Sequence, residues 1–238
     1  MNRNIVKRVL LYCLGLLLLA FGVTFSIKSN LGVSPVNSIP YVLSIVFVID
    51  QGLLTVAVFC SYILLQIILL RKDFKMFNLL QIVFSGIFGY FVTFSNSIWT
   101  FNLIDNYISR LILLLISIIF IALGLLFYLT ANIVPQPAEG LMLVISKKTN
   151  LSFLKTKIIF DCTVVIISLI ISFLGTMSLI GIREGTIIAA LVVGKVLEFF
   201  TKKFKPFLIK LISSKETIIV SQNIPNQKYT QNLKIKSS

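Results

Sequence analysis

Two stretches of the sequence decide the fold: FGVTFSIKSNLGVSPVNSI at residues 21–39 and LGLLFYLTANIVPQPAEGL at residues 123–141. A shift of 102 residues aligns their glycine, asparagine and proline residues in the pairs Gly22/Gly124, Asn30/Asn132 and Pro35/Pro137. Further along, Ser44 falls on Ser146 and Cys60 on Cys162, and with six more residues of offset Gly86 falls on Gly194. The shared order of these matches predicts an internal duplication, which is typical of transporter and channel folds.

The composition places both repeats in a membrane. Hydrophobic residues make up 57% of the 238 residues, charged residues only 13%, and the mean hydropathy is +1.00. A soluble domain carries about 25% charged residues, because its surface must face water. The sequence therefore predicts an all-α polytopic membrane protein. Its first repeat spans residues 1–105, its second repeat residues 106–212, and a polar tail of residues 213–238 is expected to be disordered in the cytoplasm.

Six apolar stretches approach the roughly 20 residues that a spanning helix needs. They are Val9–Ile27, Leu53–Leu70, Phe77–Ser95, Leu111–Thr130, Leu154–Leu174 and Gly185–Phe200. Two shorter segments each begin at a proline, at Pro35–Ile49 and Pro137–Ser146. Segments of that length are more often re-entrant or interfacial than spanning, so we expect two short, re-entrant or broken helices beside six spans.

The distribution of Lys and Arg favours the six-span topology. If the two short segments return to the side they entered from, ten basic residues before the last span are cytoplasmic and three are external. If both segments span, the count becomes eight against five. Cytoplasmic loops carry the excess of basic residues, so the first arrangement is preferred. It places both termini in the cytoplasm of a cell-membrane protein and gives each half three spans, which makes the two halves an inverted repeat.

The two short segments hold the candidate site. Pro35 and Pro137 suit the first position of a helix, where a missing amide costs nothing, and Ser34 suits the N-cap. Two residues after each proline stands a polar side chain, Asn37 or Glu139. A helix start offers free amides and a positive dipole end, and secondary transporters place such starts at their substrate site. Glu139 is alternatively a solvated cap near the lipid headgroups.

Asn30 and Asn132 precede the two short segments, and with Ser34, Asn37 and Glu139 they make up the candidate substrate-binding set. Their alternative role is to end the preceding helices, because asparagine is favoured at that position. Pro35, Pro137, Gly86 and Gly194 are interpreted as structural: the prolines break helices and the glycines allow close helix contact. The other polar groups inside spans are assigned to packing, as an ion pair of Lys157 with Asp161, a bond between Gln66 and Gln81 across helices, and an ion pair of Lys195 with Glu198.

Several classes of function have no support in the sequence. The chain contains no histidine, its three cysteines lie in apolar stretches without metal or redox spacing, and no nucleophile–base pair or phosphate loop is visible. We therefore expect no enzyme activity, no metal and no cofactor. The net charge of +14 is distributed in short loop runs, which indicates contact with anionic lipids at the cytoplasmic face rather than nucleic-acid binding.

The motifs resemble those of a bacterial membrane-protein family. The run Asn30-Leu31-Gly32-Val33-Ser34-Pro35-Val36-Asn37, its echo Pro137-Ala138-Glu139-Gly140-Leu141-Met142, and Glu184-Gly185-Thr186 with Gly194 are similar to the YczE/YyaS/YitT group over roughly residues 9–205. That group typically has aspartate where Asn37 and Glu139 stand here. The resemblance implies a multi-pass bacterial inner-membrane protein and does not indicate a substrate.

The sequence thus favours a transporter or permease-like protein for an unidentified small molecule, because paired broken segments in a repeat are the usual architecture of such proteins. The alternative is a non-transporting membrane regulator that docks a protein partner or a second copy of itself. The sequence identifies neither the solute, the direction of transport, nor a coupling ion.

Overall fold

The computed structural model describes residues 3–99, 106–178 and 180–212, and the regular structure in these ranges is entirely helical. Eight α-helices follow one another: α1 (Arg3–Lys28), α2 (Pro35–Phe47), α3 (Gln51–Leu70), α4 (Leu80–Ile98), α5 (Tyr107–Ala131), α6 (Pro137–Thr149), α7 (Phe153–Thr176) and α8 (Glu184–Ile212). Two short 3₁₀ helices, Arg71–Asp73 and Met76–Leu79, join α3 to α4. The predicted tail at 213–238 and the end of the first repeat at 100–105 lie outside the described residues.

Each half of the chain has the same order of helices, one long, one short and two long. The short helices α2 and α6 have 13 residues each and begin at prolines 102 residues apart. The long helices before them end at Asn30 and Asn132, whose φ angles of 53° and 49° are left-handed. Asparagine tolerates that conformation better than most residues, so the two asparagines end α1 and α5 in the same way.

Helices α1 and α5 cross in direct backbone contact. A Cβ atom on Gly15 would lie 2.9 Å from the Gly124 carbonyl oxygen, and one on Gly22 would lie 3.1 Å from the Ser117 carbonyl oxygen. The earlier residue of α1 thus meets the later residue of α5, which makes the two helices antiparallel. Gly15 and Ser117 are 102 residues apart, and so are Gly22 and Gly124. Each of the two contacts therefore joins the residues that correspond to those of the other contact.

Each short helix packs against the third helix of the opposite half. On one side the Ser168 hydroxyl of α7 donates a 2.9 Å hydrogen bond to the Ser38 hydroxyl of α2. On the other side Gln66 of α3 donates from Nε2 to the Pro137 carbonyl of α6 at 3.0 Å, and also to Gln81 of α4 at 3.0 Å. Gln66 and Ser168 are themselves 102 residues apart. The predicted Gln66–Gln81 bond is therefore confirmed, and it also holds the start of α6.

Five of the eight helices are long and apolar enough to cross a membrane, namely α1, α3, α4, α5 and α7. The sixth predicted span falls on α8, which has 29 residues and a length of about 43 Å. Charged residues interrupt it, so it is less apolar than the other five. One of its predicted pairs is wrong: Glu198 accepts from Lys202 at 2.8 Å rather than pairing with Lys195.

Two further predictions about single residues need correction. The topology count places Lys157 among the cytoplasmic loop charges, but it is a buried residue inside α7. The prediction that Gly86 allows close helix contact is wrong, because the residue is exposed and a Cβ atom there would meet nothing within 4 Å. Its neighbour Gly89 makes that contact instead, since a Cβ there would lie 2.7 Å from the Gly52 carbonyl oxygen.

Candidate functional site

A small internal cavity of about 30 Å³ lies between the two halves. Polar side chains of both halves line it: Ser34, Asn37, Gln136, Glu139, Lys157 and Asp161. A volume of this size holds one or two water molecules. The cavity is therefore nearly closed in this conformation.

Many residues that line the cavity are 102 positions apart in the sequence. Ten of the lining residues form five pairs separated by 102 residues: Leu19/Ile121, Val23/Leu125, Ser34/Gln136, Asn37/Glu139 and Phe59/Asp161. Residues of both halves therefore surround a single space. The cavity thus lies where a ligand would contact both halves at once.

The two helix starts reach the cavity because of their prolines. Pro35 and Pro137 occupy the first turn of α2 and α6, as predicted. Ser34 and Gln136 stand at the N-cap positions, but neither side chain makes a capping hydrogen bond. Both side chains instead line the cavity, so neither occupies the backbone amides of the first turn.

Asn37 and Glu139 are the sequence-predicted residues that the fold brings together. Asn37 is 6% exposed and Glu139 7% exposed, and both line the cavity. Asn37 Oδ1 and Glu139 Oε2 have no hydrogen-bond partner. Glu139 is therefore buried within the protein, and the alternative of a solvated cap near the headgroups does not describe its position.

An ion pair adds charge to the same cavity. Lys157 Nζ donates to Asp161 Oδ2 at 2.9 Å, one helical turn apart on α7, which confirms the predicted pair. Asp161 is 1% exposed, and its second oxygen, Oδ1, has no partner. With Glu139, the cavity holds two carboxylates and one ammonium group. Sequence reasoning assigns this pair to packing and misses that it belongs to the site.

Three buried tyrosines lie near Glu139, outside the lining of the cavity. Tyr12 of α1, Tyr62 of α3 and Tyr128 of α5 are all buried and lie close enough to Glu139 for electrostatic interaction. The Tyr62 hydroxyl has no hydrogen-bond partner, and the Tyr128 hydroxyl interacts with the Glu139 carboxylate. Both hydroxyls are potential donors to a bound group.

The close packing of α6 beside the glutamines depends on Gly140. A Cβ atom at this position would lie 3.0 Å from Gln66 Nε2 and 3.1 Å from Gln81 Oε1. Gly140 directly follows Glu139, so the absence of its side chain lets the two glutamines hold the helix turn that carries the carboxylate.

Asn30 and Asn132 do not join the site. Both end a helix in the left-handed conformation, neither lines the cavity, and Asn132 is exposed. Their backbone carbonyls accept hydrogen bonds from arginines, Arg183 to Asn30 at 2.9 Å and Arg8 to Asn132. The structure therefore does not bring them together with Asn37 and Glu139, and both take the helix-ending conformation that was their alternative role.

Asn30 instead lines a second, more open hollow of about 270 Å³. The hollow lies between the loop after α1 and the loop before α8, with Tyr41, Gly181 and Arg183 also in its wall. It is separate from the cavity, since the two share no lining residue.

Comparison with known proteins identifies a family and a relative named as a membrane protein. The model of a family of unknown function, DUF6198, matches residues 6–202. The chain belongs to this family. It is also 28% identical over 151 residues to the uncharacterized membrane protein YczE of Bacillus subtilis (strain 168), which covers 63% of this chain and 68% of that protein. The predicted resemblance to the YczE type is thus confirmed. No solved structure gives a significant match.

Proposed function

We propose that this protein is a transporter of a small solute in the cell membrane, and that the solute binds in the cavity between the halves. The observation that carries the proposal is that Asn37 and Glu139, at equivalent positions of the two repeats, line one buried cavity with unpartnered oxygens. Polar groups without partners are expensive at membrane depth, and they are usually retained for use.

In this proposal α1, α3, α4, α5, α7 and α8 span the membrane, and α2 and α6 are re-entrant. The antiparallel crossing of α1 and α5 supports an inverted repeat, since equivalent helices that run in opposite directions belong to halves of opposite orientation. The 3.1 Å hydrogen bond from Lys7 to the Leu211 carbonyl supports an even number of spans, because it joins the start of α1 to the end of α8. The excess of basic residues then places that side in the cytoplasm.

Different hydrogen bonds close the cavity toward the two sides. On the outer side, the loop after α1 is held by backbone hydrogen bonds, Val33 to Gly181 at 2.9 Å and Gly185 to Leu31 at 2.7 Å. On the cytoplasmic side, the loop after α5 is held by the Tyr12 hydroxyl, which donates to the Val134 carbonyl at 3.0 Å. Alternating access would break one set of bonds while keeping the other.

The cytoplasmic closure has a second element in Arg8. Its Nε donates to the Ala131 carbonyl at 2.9 Å, and its Nη2 donates to the Asn132 carbonyl. Side-chain hydrogen bonds of this kind can form and break by rotamer changes, without unwinding a helix. Opening toward the cytoplasm therefore requires less rearrangement of the backbone than opening toward the outside.

Solute flux into proteoliposomes tests the proposal. Vesicles with the purified protein are screened across solute classes, and Glu139→Gln is compared with Glu198→Gln, an identical change at an exposed position. We expect flux of at least one solute class in the wild type and in Glu198→Gln, and its loss in Glu139→Gln. Flux that survives unchanged in Glu139→Gln would refute the site. No flux for any class, together with copurification of a stoichiometric partner, would favour the docking alternative.

A further inference from the structure

We infer that the cavity binds a small monovalent metal cation of the size of Na⁺, held by Asn37 Oδ1, Glu139 Oε2 and Asp161 Oδ1. This inference rests on the proposed function, because it assigns the cation to the same cavity, where it would accompany or drive the solute. The cation class follows from three independent features of the cavity: its unpartnered atoms, its charge and its volume.

The unpartnered atoms of the cavity are mainly acceptors. Asn37, Glu139 and Asp161 each present one oxygen without a hydrogen-bond donor, and each side chain is more than nine-tenths buried. Gln136 Nε2 is the unpartnered donor among the cavity-lining side chains. Buried oxygens normally have a donor or a cation beside them. The ammonium group of Lys157 and the neighbouring Tyr62 and Tyr128 hydroxyls are further donors, yet these three oxygens remain unpartnered, and one cation between them would serve all three at once.

The charge of the cavity has the sign that a cation needs. The carboxylates of Glu139 and Asp161 and the ammonium group of Lys157 sum to one negative charge when all three are ionised. The starts of α2 and α6 add partial positive charge beside the cavity. A backbone amide at the start of α6 bonds the Glu139 carboxylate, but Oε2 of that carboxylate and the other two oxygens remain unpartnered. The tyrosine hydroxyls nearby are neutral and leave the charge unchanged.

The ligand set and the volume favour a monovalent ion. Two carboxylates, one of them already paired with Lys157, leave a single negative charge uncompensated. Divalent hard cations take more oxygen ligands and more charge, and within the described residues no three His, Cys, Asp or Glu side chains are grouped. A cavity of about 30 Å³ admits a bare small ion with at most one water molecule.

Lys157 has a defined role in this arrangement. It holds Asp161 Oδ2 at 2.9 Å and thereby leaves Oδ1 for the cation. The equivalent of Asp161 in the first half is Phe59, and the equivalent of Glu139 is Asn37. The negative charge therefore lies on the second half of the chain, and the cation would bind against α6 and α7 with Asn37 of α2 as its ligand from the first half.

Cation-dependent thermal stability of the purified full-length protein tests the inference. Unfolding in detergent at pH 8 is followed in NaCl and in N-methyl-D-glucamine chloride at equal ionic strength. Since a ligand stabilises only the state that binds it, Na⁺ at roughly 100 times its dissociation constant should raise the Tm by about 5–10 °C. Glu139→Gln should lose this rise, and the exposed change Glu198→Gln should keep it.

A second variant covers the case in which Glu139→Gln does not fold. Asn37→Ala keeps both carboxylates and removes one neutral ligand, so the Na⁺ concentration needed for half of the rise should increase about tenfold. The inference is overturned if the wild type gains no more stability in NaCl than in N-methyl-D-glucamine chloride. It is also overturned if acid stabilises the protein and no metal cation does, because the site then carries a proton.

The result is separable from that of the flux screen. The stability measurement needs no transported solute, so absent cation binding with measurable flux would refute this inference alone. Cation binding without flux for any solute class would refute the proposed function and leave the cation site standing.

Discussion

Replacing Lys157 by methionine tests whether the Lys157–Asp161 pair is truly enclosed by low-dielectric surroundings. The pair is buried, and the single change leaves Asp161, which is 1% exposed, without its counter-charge. Removal of one partner of a buried ion pair costs about 3–5 kcal/mol of unfolding free energy. For a chain of this size that corresponds to a fall in Tm of about 10 °C or more.

The double variant Lys157→Met with Asp161→Leu separates the loss of the partner from the loss of packing. Replacing both members by apolar side chains removes the uncompensated charge, and such replacements are often neutral or stabilising by about 1–4 kcal/mol. We therefore expect the double variant to regain most or all of the wild-type Tm. Thermal unfolding in detergent is measured in a buffer without small metal cations, so that ion binding does not mask the difference.

The chain contains a matched control in the exposed pair Glu198–Lys202. It has the same spacing of four residues and a similar distance of 2.8 Å, but both side chains face outward. Lys202→Met should leave the Tm nearly unchanged, because exposed pairs contribute little. If Lys157→Met lowers the Tm no more than Lys202→Met does, Asp161 is solvated and the reasoning about the cavity's charge is refuted.

Three further outcomes are expected. Gly124→Leu should lower the unfolding free energy by about 1–3 kcal/mol in thermal or denaturant unfolding, because its side chain meets α1 backbone, whereas Gly86→Leu should be tolerated. In a background lacking the native cysteines, an impermeant thiol reagent added outside should label Tyr107→Cys and leave Asp73→Cys protected; the reverse pattern contradicts the inverted repeat. Tyr12→Phe removes the hydroxyl that holds the cytoplasmic loop, so it should increase the accessibility of that loop to cysteine labelling from inside.

The sequence predicts the organisation of the chain well because its strongest signals are local. A proline that begins a helix and an asparagine that ends one act within a few residues, so their repetition after 102 residues is enough to locate α2 and α6. The positions of Asn37 and Glu139, two residues after each proline, are then also predicted. The sequence proposes that these two side chains meet, but it does not show that they line one buried cavity.

What the sequence does not predict depends on contacts between distant helices. The spacing of four residues between Lys157 and Asp161 is fully accounted for by an ion pair within α7. Nothing in the sequence of α7 alone shows that α6 places Glu139 at the same cavity. One signal is present in the repeat: Asp161 stands where the first half has Phe59, and a charge in place of a phenylalanine at an equivalent position indicates more than packing. The sequence likewise gives no reason to prefer Gly89 over Gly86 as the close-contact residue. Only the position of α3, which contacts Gly89 and not Gly86, distinguishes the two.

The packing of each short helix against a helix of the opposite half has a consequence for biosynthesis. Ser38 of α2 finds its partner Ser168 only 130 residues later in the chain. At a translation rate of about 5–20 residues per second, that interval lasts roughly 10 s. During this time α2, with its buried asparagine and two prolines, can pack against α3 but lacks the α7 surface that it also contacts. A nascent chain therefore needs protection of α2 by the insertion machinery until α7 emerges, and a half expressed by itself would be stable only as an antiparallel pair with a second copy.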